Sequence, residues 1–140
     1  MCMLIHHTPK AKITREMLKN FLYHNADGFG FTAFDGKKLH CMKLPVADFK
    51  DVAHLYDTYI RGKEAILHFR MRTHGDINRD NTHPFKVADG LWMAHNGVLS
   101  NVTQRDKAMS DTWHLIEDYL KPMLGAYPLL IREAGFQKML

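Results

Sequence analysis

The order of strand and helix signals along the chain predicts a mixed α+β fold, and three observations carry that prediction. An apolar run opens the chain at Met1-Cys2-Met3-Leu4-Ile5, an Asp-Gly turn separates two strand-like stretches, and three later segments repeat apolar residues at helical spacing.

The first run reads as a strand that Pro9 and the polar Lys10-Ala11-Lys12 bring to an end. Thr14 then offers a helix cap, and Met17, Leu18, Phe21 and Leu22 form an apolar stripe that reaches Asn25. Asn25-Ala26-Asp27-Gly28-Phe29-Gly30 is a turn-forming cluster. Phe29 to Phe34 and Leu39 to Leu44, joined through Asp35-Gly36, read as a β-hairpin stopped by Pro45. From Asp48, the residues Phe49, Val52, Ala53, Tyr56, Tyr59 and Ile60 follow an amphipathic helical pattern, with Gly62 just past its end. Ala65 to Phe69 is a short buried-type strand, and Leu91 to His95 is strand-like up to Asn96-Gly97. Ser110 caps a last clear helix with Trp113, Ile116, Leu120 and Met123 facing inward, and Tyr127 to Leu140 reads as a short helix or a docked tail.

Composition narrows the class. A chain of 140 residues, 46% hydrophobic and 24% charged, is expected to form one globular domain over residues 1–140. No apolar run is long enough to span a bilayer and no secretory signal is visible, so a cytoplasmic protein without a membrane partner is expected. Two cysteines, Cys2 and Cys41, suit free thiols in a reducing compartment. The net charge of +4 is scattered among acids rather than gathered into a basic stripe, which argues against a nucleic-acid partner.

Candidate chemistry starts at Cys2. If the initiator methionine is removed, thiol and free α-amine share one carbon. Their pKa values, roughly 8 for the amine and about 8.5 for the thiol, lie close enough for the amine to draw the thiol proton. Arg70-Met71-Arg72-Thr73-His74-Gly75 gathers polar groups at a strand end, as a site would, and a solvated edge would carry the same residues. Asn96-Gly97 is a strong turn signal, and the same geometry can aim an amide side chain and a backbone N–H at a developing oxyanion. Asp111, in the first turn of its helix, also has a structural reason to be there. A metal centre on His68, His74, His83 and His95 is disfavoured, because their spacing fits no zinc pattern and no helical i, i+4 pair is present.

Taken together, Cys2, Arg70 with Thr73-His74-Gly75, Asn81-Thr82-His83-Pro84-Phe85, Ala94-His95-Asn96-Gly97 and Ser110-Asp111-Thr112 resemble, in this order, the class II glutamine amidotransferases. These are amino-terminal-nucleophile hydrolases, and the Asn-Thr-His-Pro-Phe string resembles their short, stand-alone bacterial and phage members. The resemblance implies an αββα sandwich, trimmed at the carboxyl end because the chain stops soon after the Asp111 helix. It implies a glutaminase or amidotransferase in which Cys2 attacks the side-chain amide of glutamine. Asn96 and Gly97 would form the oxyanion hole, Arg70 and Asp111 would hold the α-carboxylate and α-ammonium, and Thr73 and His74 would position the substrate. No cofactor is implied, and the ammonia acceptor would sit on a separate synthase chain. Met71 stands where larger relatives carry an aromatic, and Arg72 adds a second cation. The alternative is a non-catalytic binding or regulatory module that keeps the pocket.

Overall fold

A computed structural model describes residues 1–139, with the side chain of Met139 left aside. Strands β1 (Met3–His7), β2 (Phe29–Phe34), β3 (Leu39–Leu44) and β4 (Glu64–Phe69) form one antiparallel sheet in the order β1-β4-β2-β3. β4 holds it together. Phe69 pairs with Met3 of β1 and with Phe29 of β2, and His68 pairs with Leu4 and Gly30.

Side chains alternate across a strand, so these registers sort residues onto two faces. Ala65, Leu67 and Phe69 share one face with Met3, Ile5, Phe29, Phe31 and Ala33, while Ile66 and His68 share the other with Leu4 and Gly30. The first face is apolar and is closed by helices α1 (Arg15–His24) and α2 (Phe49–Leu55), which bring Leu18, Leu22, Val52 and Ala53 into one core. At roughly 1.5–3 kcal/mol per fully buried large apolar side chain, this core is the main source of the sheet's stability.

Local signals set the helix starts. The Thr14 hydroxyl accepts the Met17 N–H at 3.2 Å, and the Asp48 carboxylate accepts the Asp51 N–H at 2.9 Å. Only part of the expected α1 stripe is buried: Leu18 and Leu22 are, whereas Met17 is 42% exposed. α2 widens into a π-helical stretch at Tyr56–Ile60, which keeps both Tyr56 and Ile60 in the core. Gly62, at φ +73°, then turns the chain into β4.

A second pair of strands, β5 (Phe85–Ala88) and β6 (Leu91–Met93), forms a two-stranded antiparallel sheet with an irregularity between Lys86 and Ala88. β6 is shorter than the strand-like run to His95, and among the described residues no strand follows Gly97, so Asn96-Gly97 is not a hairpin turn. Phe85 and Val87 pack with Ile116, Leu120, Leu124 and Phe136 in a second core.

The helical rod of that core comprises α3 (Asp111–His114), a π-helical stretch at Leu115–Leu120, and α4 (Lys121–Ala126). Pro122 does not stop it. The π-helical widening lies directly before this proline, in the turn where its missing N–H would break the α-helical ladder. Met123 is 38% exposed and Leu124 is buried in its place, on the face that Ile116 and Leu120 share at i, i+4 spacing. A 3₁₀ turn at Pro128–Arg132 and helix α5 (Ala134–Met139) form the expected tail, apart from Leu140, which lies outside the described residues. No helix among the described residues is long and apolar enough to cross a membrane.

The polar face of the four-stranded sheet is approached most closely at Gly30. A Cβ on Gly30 would fall 1.9 Å from the His83 carbonyl oxygen, so the backbone of residues 81–84 lies directly on the sheet there. Gly30→Ala is therefore expected to destabilise the protein by about 3 kcal/mol or more. Gly125→Ala, in α4 with nothing within 4 Å of the new methyl, should be neutral or stabilising by about 0.5–1 kcal/mol. Urea unfolding of the two variants checks the contrast, and equal stabilities would show that residues 81–84 do not rest on the sheet.

Candidate active site

The site is assembled at the end of β4. Pairing of Met3 with Phe69 carries Cys2 alongside residues 70 and 71. The Cys2 thiol donates to the Met71 carbonyl at 3.3 Å, and its sulfur accepts the Met71 N–H at 3.4 Å. Cys2 and Cys41 are both free thiols. Met1 is 86% exposed, and its amino group contacts the Met71 sulfur at 3.0 Å.

Arg70 continues the alternation of β4 onto the face that carries His68. It is only 4% exposed, and its guanidinium donates to the carbonyls of Asp76 at 2.8 Å and His74 at 3.0 Å. Burial lowers its pKa, and Cys2, Asp27 and Asp76 counter part of that shift; guanidinium remains charged throughout. Arg70 thus ties the 73–76 turn to the sheet with two of its donors. Asp27, from the glycine-containing turn before β2, accepts the Arg72 N–H at 2.8 Å and fixes the other side of the segment.

The second fastening is Asn81, fully buried. Its side-chain amide donates to the carbonyls of Asp76 at 3.1 Å and Ala108 at 2.7 Å, while its Oδ1 accepts the Ser110 N–H at 2.8 Å. One side chain therefore joins the segment after β4 to the start of α3. Gly75 fits into the same joint with φ +69°, and a Cβ there would lie 2.8 Å from the Ser110 nitrogen. The Asn-Thr-His-Pro-Phe string contained this residue, but nothing in its spacing revealed what it binds.

α3 begins at Ser110, whose hydroxyl accepts the Trp113 N–H at 3.2 Å. Asp111, 6% exposed, accepts the Thr112 N–H at 2.7 Å through one oxygen and the Leu99 N–H at 2.7 Å through the other. Its carboxylate at the helix start thus also anchors the 96–99 loop.

Between these parts lies a cavity of about 30 Å³. Six of the seven residues singled out from the sequence line it: Cys2, Arg70, Thr73, His74, Gly97 and Asp111. Asn96 is exposed and does not. The other lining residues include Asn81 and Thr112, noted in the sequence only within motif strings, and His83 and His95, weighed there only as metal ligands. A cavity of about 370 Å³, lined by Arg72, Gln104 and Lys107, adjoins it through Thr73 and His74. Among the described residues, no three His, Cys, Asp or Glu side chains converge as metal ligands would.

At the cavity wall formed by His83, the rings of His68 and His83 lie 4.1 Å apart, centre to centre, and none of their four nitrogens has a hydrogen-bond partner within 3.5 Å, the His95 backbone being only a weaker, longer-range neighbour of His68. Burial and then the Arg70 charge push His68 down to about 4, against a smaller opposing pull from the His95 backbone. His83 is lowered as well, by burial first and then by His68 and His95. Both rings are neutral at pH 7. Since the folded His68 binds its proton less readily than the unfolded residue does, its contribution is complete above the unfolded value of about 6.5 and is lost as the pH falls towards 4. That loss amounts to about 3 kcal/mol by pH 4, and His83 adds to it in the same direction. Denaturant titrations from pH 7 to 4 should show a steeper acid loss for the natural protein than for His68→Leu. Identical slopes would contradict the buried neutral pair.

Residues 16–114 match the family model described as glutamine amidotransferases class-II. The "Putative glutamine amidotransferase" of Haemophilus influenzae is 34% identical over 83 residues, which is 56% of this chain and 28% of that protein. The "Putative glutamine amidotransferase YafJ" of Escherichia coli K12 is 35% identical over 81 residues, 53% of this chain and 31% of that one. The glutamine–fructose-6-phosphate aminotransferase of Halobacterium salinarum is 27% identical over an alignment covering 91% of this chain and 25% of the enzyme. The chain thus spans between a quarter and a third of the length of these relatives. With the family model covering well over half of its residues, the chain belongs to the class II glutamine amidotransferases.

Proposed function

We propose that Cys2, made amino-terminal by removal of Met1, hydrolyses the side-chain amide of glutamine to glutamate and ammonia. The observation that carries this reading is the shared cavity. Residues as far apart in the chain as Cys2, Arg70, Gly97 and Asp111 line one space, in a member of this family.

The steps follow from the side chains. The α-amine takes the thiol proton, sulfur adds to the amide carbon, and the proton passes to the nitrogen as the C–N bond breaks and ammonia leaves. Water then cleaves the γ-glutamyl thioester. The Gly97 N–H and the Asn96 side chain would stabilise the oxyanion, at roughly 3–4 kcal/mol of barrier per donor. This requires Asn96 to swing inward from its exposed position. Arg70 retains donors beyond the two given to His74 and Asp76, and these suit a substrate carboxylate; Asp111 supplies the opposite charge for the ammonium. Thr73 and His74 complete the pocket. Because about 30 Å³ is far below the size of an amino-acid site, glutamine would enter by parting the 73–76 and 96–99 loops into the adjoining cavity.

This reading extends to one amidotransferase domain over residues 1–140, with an αββα sandwich as its architecture and the cytoplasm as its compartment. The Halobacterium relative is named for transfer from glutamine to fructose-6-phosphate, and by that likeness the ammonia would pass to an acceptor on a separate synthase chain.

The alternative is a binding module that holds glutamine without turning it over, the outcome if Met1 is retained. With Met1 in place, its amino group sits on the Met71 sulfur and the Cys2 nitrogen is an amide without basicity. Ammonia release separates the two readings. The processed protein should liberate ammonia from glutamine and Cys2→Ala should not, whereas no release from folded protein lacking Met1 would leave only the binding module. Arg70→Lys should raise KM by on the order of tenfold with a smaller change in kcat, because lysine cannot reproduce the fork. A defect confined to kcat would remove Arg70 from carboxylate binding.

A further inference from the structure

The unpartnered imidazole at the cavity wall points to a second ligand. His83 is 6% exposed, and neither of its ring nitrogens has a hydrogen-bond partner. A neutral imidazole carries one N–H donor and one lone pair, and leaving a buried polar group unmet costs roughly 1–3 kcal/mol. His68 does not relieve this. Its ring lies against His83 at 4.1 Å and 36°, a tilted face contact, and its own nitrogens are also without partners.

His83 lines the same cavity as Cys2, His95 and Thr112. Thr112 brings a hydroxyl to 3.4 Å from the Nδ1 of His95, so a second polar group stands at that wall. With the 73–76 and 96–99 loops as they stand, the space of about 30 Å³ exceeds the 10–15 Å³ or so that a single water needs and is smaller than an amino acid. Size and unmet hydrogen bonding are independent observations, and they select the same kind of molecule.

We propose that the cavity beneath Cys2 binds one small neutral hydrogen-bonding molecule, of the size of water or ammonia, with the His83 imidazole as its principal partner. If the amidase reading holds, on which this further role rests, the molecule is the water that ends the reaction. Its oxygen bonds to the acyl carbon, the C–S bond breaks with the electron pair going to sulfur, and the sulfur takes up a proton from the water as glutamate leaves. His83 is then a positioning residue: it orients the water while it remains neutral.

Crystal structures of the full chain with Met1 removed, in the natural form and as His83→Phe, test the site directly. The natural protein should show an ordered molecule within about 3 Å of a His83 ring nitrogen that is lost in the variant. An ordered ring with no such neighbour would overturn the proposal, and that arm decides even if the phenylalanine protein fails to fold. Mass spectrometry of Cys2 during turnover of a γ-glutamyl ester tests the role. His83→Phe should form the thioester at the natural rate but lose it more slowly by on the order of tenfold or more, and His83→Gln should restore most of that loss. If thioester decay is unchanged in His83→Phe, the role is wrong. If Cys2 is never acylated in the natural protein, the amidase reading fails instead and the crystallographic result still stands. Product analysis with added ammonium distinguishes the occupants: ammonia held at His83 would add to the acyl carbon, expel the Cys2 sulfur and return glutamine to a larger extent in the natural protein than in His83→Phe, whereas bound water would leave the glutamine fraction equal in the two.

Discussion

The register between β1 and β4 is the constraint on which the site depends. Met3 opposite Phe69 brings a residue from the extreme amino terminus to the carboxyl end of the central strand. A slip of one residue would exchange the faces of β1, sending Met3 and Ile5 out of the core and Leu4 into it. The apolar core under α1 and α2 resists that slip. Packing on one face of the sheet thereby fixes the position of a thiol at its end.

On the other face the chain uses polar fastenings instead of apolar ones. Arg70, Asn81 and Asp111 are nearly or fully buried, and each binds backbone groups of segments that have no regular structure. Burying such groups is costly unless they are hydrogen-bonded, and here each is. Among the described residues, the rings of His68 and His83 lack such partners, as does the Asn25 side-chain oxygen. The rigid fastenings and one of the unpartnered rings, His83, meet at one cavity, which Cys2 and Gly97 also line.

Much of the fold was legible in the sequence because it rests on local signals. Thr14, Asp48 and Ser110 cap their helices as their positions suggested, and Asp35-Gly36 turns the β2–β3 hairpin. β5 was not legible. Phe-Lys-Val-Ala is a four-residue run after a proline, and its strand character comes from pairing across an irregular register with β6. Met17 and Met123 fit a helical stripe yet lie outside the cores, since spacing fixes a face but not how far a neighbouring element covers it. Met123 and Leu124 lie three and four residues after Leu120, so helical spacing alone does not decide which of them is buried.

Within the site, six of the seven expected residues share the cavity, because they cluster at strand ends and helix starts that the sequence does mark. Asn96 faces outward, on a loop that is held by the Leu99–Asp111 bond and has no strand beyond it. The nearness of His68 and His83 depends on a loop lying across Gly30, a tertiary contact that spacing cannot reveal. Treatment with a glutamine-like diazoketone, followed by intact mass and peptide mapping, tests the central claim most directly. A single adduct on Cys2, on protein that has lost Met1, is the expected result; an adduct on Cys41, or on Cys2 in protein that still carries Met1, would contradict it.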